Sequence, residues 1–145
     1  RNILKIIQTN SKATNSEIAR KLDMTPSAVL ERIKKLKEKG IIRCFETRLD
    51  PNTLGFALTS FILIKTNEKI GSTEIGRKIA LLSHVQEVHF ITGEYCYLLK
   101  VYVKDTLGLT QLMEKIGSIK GVTSSKTSLV LQPIKESLEL DIDDV

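Results

Sequence analysis

The stretch Thr14–Ile42, TNSEIARKLDMTPSAVLERIKKLKEKGII, constrains this chain more than any other. Thr14 followed three residues later by Glu17 is a capping box: the hydroxyl takes an N–H of the first turn, and the carboxylate reaches back to the cap's own N–H. Ile18, Ala19 and Leu22 give the helix one apolar face, and Asp23 and Met24 end it. Thr25-Pro26 is a second start, a hydroxyl cap followed by proline at the first helical position, where no N–H is needed. Val29, Ile33 and Leu36 fall at i, i+4 and i+7, one stripe of a helix. Lys39 and Gly40 supply a basic last turn and a left-handed stop. The spacing predicts a helix-turn-helix, a geometry that lays its second helix in a DNA major groove.

The charge distribution agrees. The chain of 145 residues carries a net +5, and residues 1–50 hold 12 Lys and Arg against 6 acids, whereas residues 51–145 hold 10 against 11. A basic first half on a near-neutral second half suggests a polyanion-binding module joined to a partner domain. With 41% hydrophobic and 27% charged residues, the composition is that of a globular protein, not a disordered chain. No apolar run is long enough to span a membrane, and no signal-peptide pattern is present. Cys44 and Cys96 are far apart and lack metal-ligand spacing, which reads as two reduced thiols and a cytoplasmic location. The sequence opens on Arg1 rather than methionine, which points to a few residues upstream.

Asn2–Thr9 is expected to be a first helix with Ile3, Ile6 and Ile7 inward. After Gly40, residues 41–49 are β-prone and fit a strand or small wing. Asp50-Pro51-Asn52 is a turn signal. The predicted division is therefore a winged helix-turn-helix over 1–49, a hinge over 50–55 and a second domain over 56–145. In the second domain, strand and helix patterns alternate. Strands are expected over 56–65, 85–92, 95–104 and 122–131. Helices are expected over 72–83, capped by Ser72, and 106–119, capped by Thr106. The acid-alternating tail ESLELDIDD reads as a short edge strand.

The order β-α-β-β-α-β is the ferredoxin-like, split βαβ pattern, so the fold class is α+β: a four-stranded antiparallel sheet with both helices on one face. Tyr97, Leu99 and Val101 fall on one face of the third strand, Cys96, Leu98 and Tyr102 on the other. Two apolar faces and one helical layer leave an apolar sheet uncovered, which a lone soluble chain rarely tolerates. A homodimer packed sheet to sheet is the expected answer, and it suits a module that reads paired half-sites.

At this point the whole chain resembles the Lrp/AsnC family of transcription regulators. EIARKLDMTPSAVLERIKKLKEKGII has the family's helix-turn-helix form, DPNTLG its hinge, and GVTSSKTSLVL its last strand. The resemblance implies a DNA-binding regulator whose dimers assemble into tetramers or octamers, with amino-acid effectors held between dimers. It implies an effector turn at Gly93, Glu94, Tyr95 and Cys96, where the family commonly shows a glycine, an acid, an aromatic and a second acid. Here Cys96 replaces the second acid. A neutral thiol cannot pair with an effector's ammonium group, which leaves Glu94 to supply the charge.

For double-stranded DNA, contact is expected from Thr25, Ser27 and Ala28 at the start of the third helix and from Glu31, Arg32, Lys34 and Lys35 along it. Ser27 can reach a base edge or phosphate, and Ala28 a thymine methyl. Arg32 reads bases or, as its rival role, packs or anchors phosphate. Glu31 points off the backbone or accepts a base amino group. A solvated basic face is the alternative to all of these. His84 and His89 form no metal motif, and Tyr97 and Tyr102 read as interface packing. No nucleophile–base pair, paired-carboxylate site or phosphate-cradling glycine loop is present, so neither enzyme activity nor a cofactor is expected. Two alternatives to an effector-tuned regulator remain: an effector-independent architectural DNA-binding protein and, further off, a ferredoxin-like enzyme.

Overall fold

The computed structural model describes residues 1–143. The chain forms two compact units, one from residues 1–48 together with the tail from Lys135, the other from Leu49 to Ile134.

The first unit is built on three helices: α1 (Asn2–Thr9), α2 (Asn15–Leu22) and α3 (Pro26–Glu38). The capping box forms as its residues dictate. Thr14 accepts from the Glu17 N–H at 3.2 Å while its own N–H donates to the Glu17 carboxylate at 2.7 Å. The Thr14 N–H first, then the Thr14 hydroxyl, which donates to the same carboxylate at 2.9 Å, hold the Glu17 carboxyl below its ordinary pKa. The α2–α3 turn is made by Asp23 in the left-handed region, φ 51°, a conformation that Asp tolerates better than most residues. Ile3, Ile7, Ile18, Ala19, Val29 and Ile42 form the core of this unit. Segment 41–49, expected as a strand or wing, pairs with no strand; Ile42 is instead drawn into the helical core. Tail residues 135–143, expected to include an edge strand, also carry no strand.

The second unit has the β-α-β-β-α-β order: β1 (Leu58–Thr66), α4 (Glu74–Ile79), β2 (Val85–Phe90), β3 (Tyr97–Val103), α5 (Thr106–Gly117) and β4 (Val122–Leu129). All pairings are antiparallel, and the sheet order is β2-β3-β1-β4. In β3 burial alternates residue by residue. Tyr97, Leu99, Val101 and Val103 join Ile62 and Ile64 of β1 beneath Ile75 and Ile79 of α4 and Leu112 and Ile116 of α5. Two expected caps differ. The α5 cap is Asp105, whose carboxylate accepts from the Gly108 N–H at 2.8 Å, so the stronger acceptor one residue earlier wins over Thr106. Helix α4 is shorter than expected and has no side-chain cap, because the Ser72 hydroxyl is turned to Glu68 at 3.0 Å.

The other sheet face carries Phe61 and Leu63 of β1 opposite Lys100 and Leu98 of β3. Phe61 is 39% exposed, and Leu63, Leu98 and Tyr102 are only half-buried. No helix of the described residues is long and apolar enough to cross a membrane.

Candidate nucleic-acid interface and effector turn

Helix α3 begins where Thr25 accepts from the Ala28 N–H at 3.2 Å, with Pro26 inside the first turn. The Thr25 hydroxyl also lies 3.1 Å from the Ser27 hydroxyl, so Ser27 is exposed and pre-oriented by the cap. Val29 is fully buried, and Ile33 and Leu36 pack beside it, which turns the opposite face outward. That face presents Ser27, Glu31, Lys34 and Lys35, all exposed, whereas Ala28 is half-buried.

The charges on this face are partly paired. Lys35 bridges Glu31 at 2.8 Å across one turn, and the bond holds the Glu31 carboxyl below and the Lys35 ammonium above their ordinary pKa values. Lys34 reaches Glu38 at 3.9 Å, and Lys37 stands over the Phe45 ring. Arg32 lies on the helix flank. It lines an open groove of about 600 Å³ with Lys35, Lys39 and Arg1 around an apolar floor that includes Ile3, Leu22, Leu36 and Ile41.

One residue of this face was not anticipated: Leu30, 58% exposed and between Ser27 and Lys34 on the outward side. Its signal was an apolar residue one step off the Val29–Ile33–Leu36 stripe. A leucine there is free to meet a thymine methyl.

In the second unit, the candidate effector turn joins β2 to β3. The Ile91 N–H donates to Cys96 O at 2.9 Å and closes the loop, and the Cys96 N–H is tied to Ile64 O of β1 at 2.8 Å. Gly93 sits at φ 113°, where a side chain would be strained. Glu94 is exposed and paired with Lys65 of β1 at 3.0 Å; Tyr95 and Cys96 are half-buried. The carboxylate available to a ligand's ammonium group is therefore already matched by a lysine.

A part-buried knot adjoins this turn through Tyr97, the residue that follows Cys96. The Glu68 carboxylate accepts from the Tyr97 phenol at 2.7 Å, the Ile75 N–H at 2.9 Å, the Ser72 hydroxyl at 3.0 Å and the Thr66 hydroxyl at 3.1 Å. Burial disfavours its charge, but these bonds outweigh it, and the Glu68 carboxyl stays below its ordinary pKa. Burial, then the bond to Glu68, pushes the Tyr97 phenol up to about 12. Sequence reading missed this knot because Glu68 stands in an unpatterned loop, 29 residues from its phenol partner. Both cysteines are free thiols, and among the described residues no cluster of three or more His, Cys, Asp or Glu is placed to hold a metal ion.

Comparison with known proteins matches this arrangement unit by unit. Residues 1–43 match a winged helix-turn-helix DNA-binding model, and residues 59–140 match the Lrp/AsnC ligand binding domain. The HTH-type transcriptional regulator FL11 of Pyrococcus abyssi is 38% identical over 98% of this chain and 93% of its own length. The leucine-responsive regulatory protein of Escherichia coli K12 is 29% identical over 98% of this chain and 88% of its own. Among solved structures, the Neisseria meningitidis regulator NMB0573 in complex with L-Met superimposes with a TM-score of 0.91 at 27% identity, covering 99% of this chain and 94% of that one. Escherichia coli AsnC does so at 0.85 and 27%, covering 93% and 91%. A helix-turn-helix unit of this form, followed by this ligand-binding fold along the length of the chain, makes it a member of the Lrp/AsnC family of transcription regulators.

Proposed function

We propose that this regulator reads double-stranded DNA through the outward face of α3, as a sheet-to-sheet homodimer, and that an amino acid or related small molecule bound at the Gly93–Cys96 turn tunes it. The observation that carries the reading is the outward face of α3 itself: Ser27, Leu30 and Lys34 stand proud of a core closed by Val29. Phosphate contacts by Lys34, Lys35 and Arg32 supply affinity, and Ser27 and Leu30 supply sequence preference. The half-exposed face of Phe61, Leu63 and Leu98 supports the dimer, which spaces two such helices for paired half-sites. Further assembly to tetramers or octamers brings effector turns of neighbouring dimers together. An effector held there biases one assembly over another and so the spacing of the DNA helices.

In functional terms, residues 1–49 are the DNA-binding module, 50–55 the hinge and 56–134 the effector and assembly module; the tail from Lys135, expected to belong to the second module, groups with the first unit. The relatives named above are transcriptional regulators, and the site chemistry here is that of a binding protein, not an enzyme. Access to DNA and two unpaired thiols support a cytoplasmic location.

The relative solved with L-Met supports an amino-acid effector. The Lys65–Glu94 pair and the Cys96 thiol favour a second reading, an architectural DNA-binding protein that ignores amino acids. A thermal-shift panel of the amino acids, run beside a gel-shift titration, separates the two. An amino acid that stabilises the chain and changes DNA affinity supports the first. DNA binding unmoved by the whole panel supports the second. No binding to any duplex at low salt refutes both.

A further inference from the structure

The tail has no regular structure, yet it is fastened to α1. The Gln8 side chain meets the backbone of Leu140 twice: its amide N–H donates to Leu140 O at 3.2 Å, and the Leu140 N–H donates to Gln8 Oε1 at 2.9 Å. One primary amide thus pairs with a peptide group in both directions, as a neighbouring strand would. Lys5 is ion-paired with Asp143, and the Arg1 guanidinium donates to Asp143 O at 3.3 Å. Arg48 donates to Glu136 O at 2.8 Å. Residues 1, 5 and 8 form one stripe, on the side of α1 away from buried Ile3 and Ile7.

Three features make this attachment releasable. Each of these bonds is polar and exposed, Leu138 and Leu140 stay 68% and 70% exposed, and Ile142 alone among the tail's described apolar residues is half-buried, so the apolar hold on the tail is slight. The tail is acidic, with Glu136, Glu139, Asp141 and Asp143 against Lys135, and it lies on a segment, residues 1–48, that holds 12 basic residues and 5 acids. The chain also passes between the two units twice, at residues 48–49 and again at 134–135. With the tail docked, the DNA-binding unit is held by two tethers; with the tail released, by one.

We propose that residues 135–143 are an acidic strap that holds the DNA-binding unit in a weaker-binding state and is released when DNA phosphates compete for Lys5 and Arg1. This inference rests on the reading of the first unit as DNA-binding. Arg1 shares its groove with Arg32, Lys35 and Lys39, so its guanidinium belongs to the basic flank of α3. A duplex backbone along that flank meets Arg1, one of the two cations that Asp143 holds, and Lys5 follows it one turn along α1. Affinity gained on release is electrostatic, and it therefore steepens with falling salt.

Gln8→Met tests the strap in the full chain, because it removes the Leu140 clamp without changing any charge. Asp143→Asn frees Lys5 independently. Both variants bind nonspecific duplex about three- to tenfold tighter than the parent at moderate salt, with a log–log salt slope steeper by about one to two. Amide exchange at Leu140 reports docking directly: slow in the parent, fast in Gln8→Met. Unchanged affinity and slope in both variants, or free-peptide exchange at Leu140 in the parent, overturns the strap. If parent and variants alike ignore DNA in dilute buffer, the DNA-binding reading fails and the competition proposed here fails with it. Protection of Leu140 that is lost in Gln8→Met would then show docking alone.

Discussion

The Tyr97 phenol donates a 2.7 Å hydrogen bond to the Glu68 carboxylate, and so fastens the first residue of β3 to the loop that follows β1. Cys96, the last residue of the candidate effector turn, is the immediate chain neighbour of this phenol. The position of the turn is thus set from inside the unit, by a bond that no ligand need touch. Tyr97→Phe removes one of four donors to a charged group and destabilises the fold by about 1–2 kcal/mol at neutral pH, read by denaturant titration.

The same pair gives the second unit two pH limbs. The Glu68 carboxyl is depressed from 4.5, so its contribution is complete above that value and is lost as pH falls through the lower folded value. Tyr97 is raised from 10.0 to about 12, so its contribution is complete below 10 and is lost as pH rises from there toward 12. In a stability-against-pH series, Glu68→Gln flattens the acid limb and Tyr97→Phe the alkaline one. Unchanged limbs in both variants would refute the knot.

Gly76 lies against the face of Tyr97. A Cβ built on it would stand 2.4 Å from the ring's Cε1, and the ring is walled in by the core. Gly76→Ala is expected to cost about 1–3 kcal/mol through overpacking. Ser60 works in the opposite sense. Its hydroxyl is fully buried on the helix-covered face and has no hydrogen-bond partner among the described residues. Ser60→Ala removes an unsatisfied group and stabilises by about 1 kcal/mol, or roughly 4–8 °C in Tm for a unit of this size. A scanning calorimetry run on the two variants should show melting points displaced in opposite directions.

On α3 the Glu31–Lys35 bridge at 2.8 Å is much tighter than the Lys34–Glu38 contact at 3.9 Å, which makes the two lysines unequal. Lys34→Ala removes one phosphate contact and lowers the salt slope by about 0.9. Lys35→Ala removes a contact and also exposes the Glu31 carboxylate to the phosphates, so it weakens binding more; adding Glu31→Gln restores part of the loss. Leu30→Ala changes the order of preference among operator variants while leaving nonspecific affinity alone. Fluorescence anisotropy titrations across salt and sequence distinguish these effects, and equal losses for the two lysines would remove the bridge from the argument.

The uncovered sheet face predicts the assembly. Leu98 opposes Leu63 at its centre, outside the helix-covered core. Leu98→Lys should leave circular dichroism unchanged and shift sedimentation from a dimer or larger species to a single chain. A parent protein that already sediments as one chain would show that the face is simply solvated.

Much of this fold was legible because its signals are local. Thr14/Glu17 and Thr25-Pro26 declare helix starts within four residues, and in β3 the alternation of Tyr97, Leu99 and Val101 with Leu98 and Tyr102 divides the two faces, whereas Cys96, expected on the uncovered face, precedes the strand and packs against the helix-covered core. What escaped depends on distant partners. Ser72 reads as a cap but serves Glu68 instead, and Thr106 yields to the neighbouring Asp105. Residues 41–49 have the composition of a strand, but pairing needs a partner edge, and Ile42 finds the helical core instead. The alternating tail likewise meets the side-chain amide of Gln8 where a strand was expected. On α3, the residue types were readable, whereas the pairing of Glu31 with Lys35 and the outward place of Leu30 depend on which helical face the core claims.

The Thr25 hydroxyl is shared between the Ala28 N–H and Ser27. A base that recruits Ser27 must therefore negotiate with the atom that starts the helix. On the reading proposed for this face, changes of operator taste at Ser27 are coupled to helix integrity, so a lineage altering its targets would meet less resistance at Leu30, which is 58% exposed and takes no part in the cap.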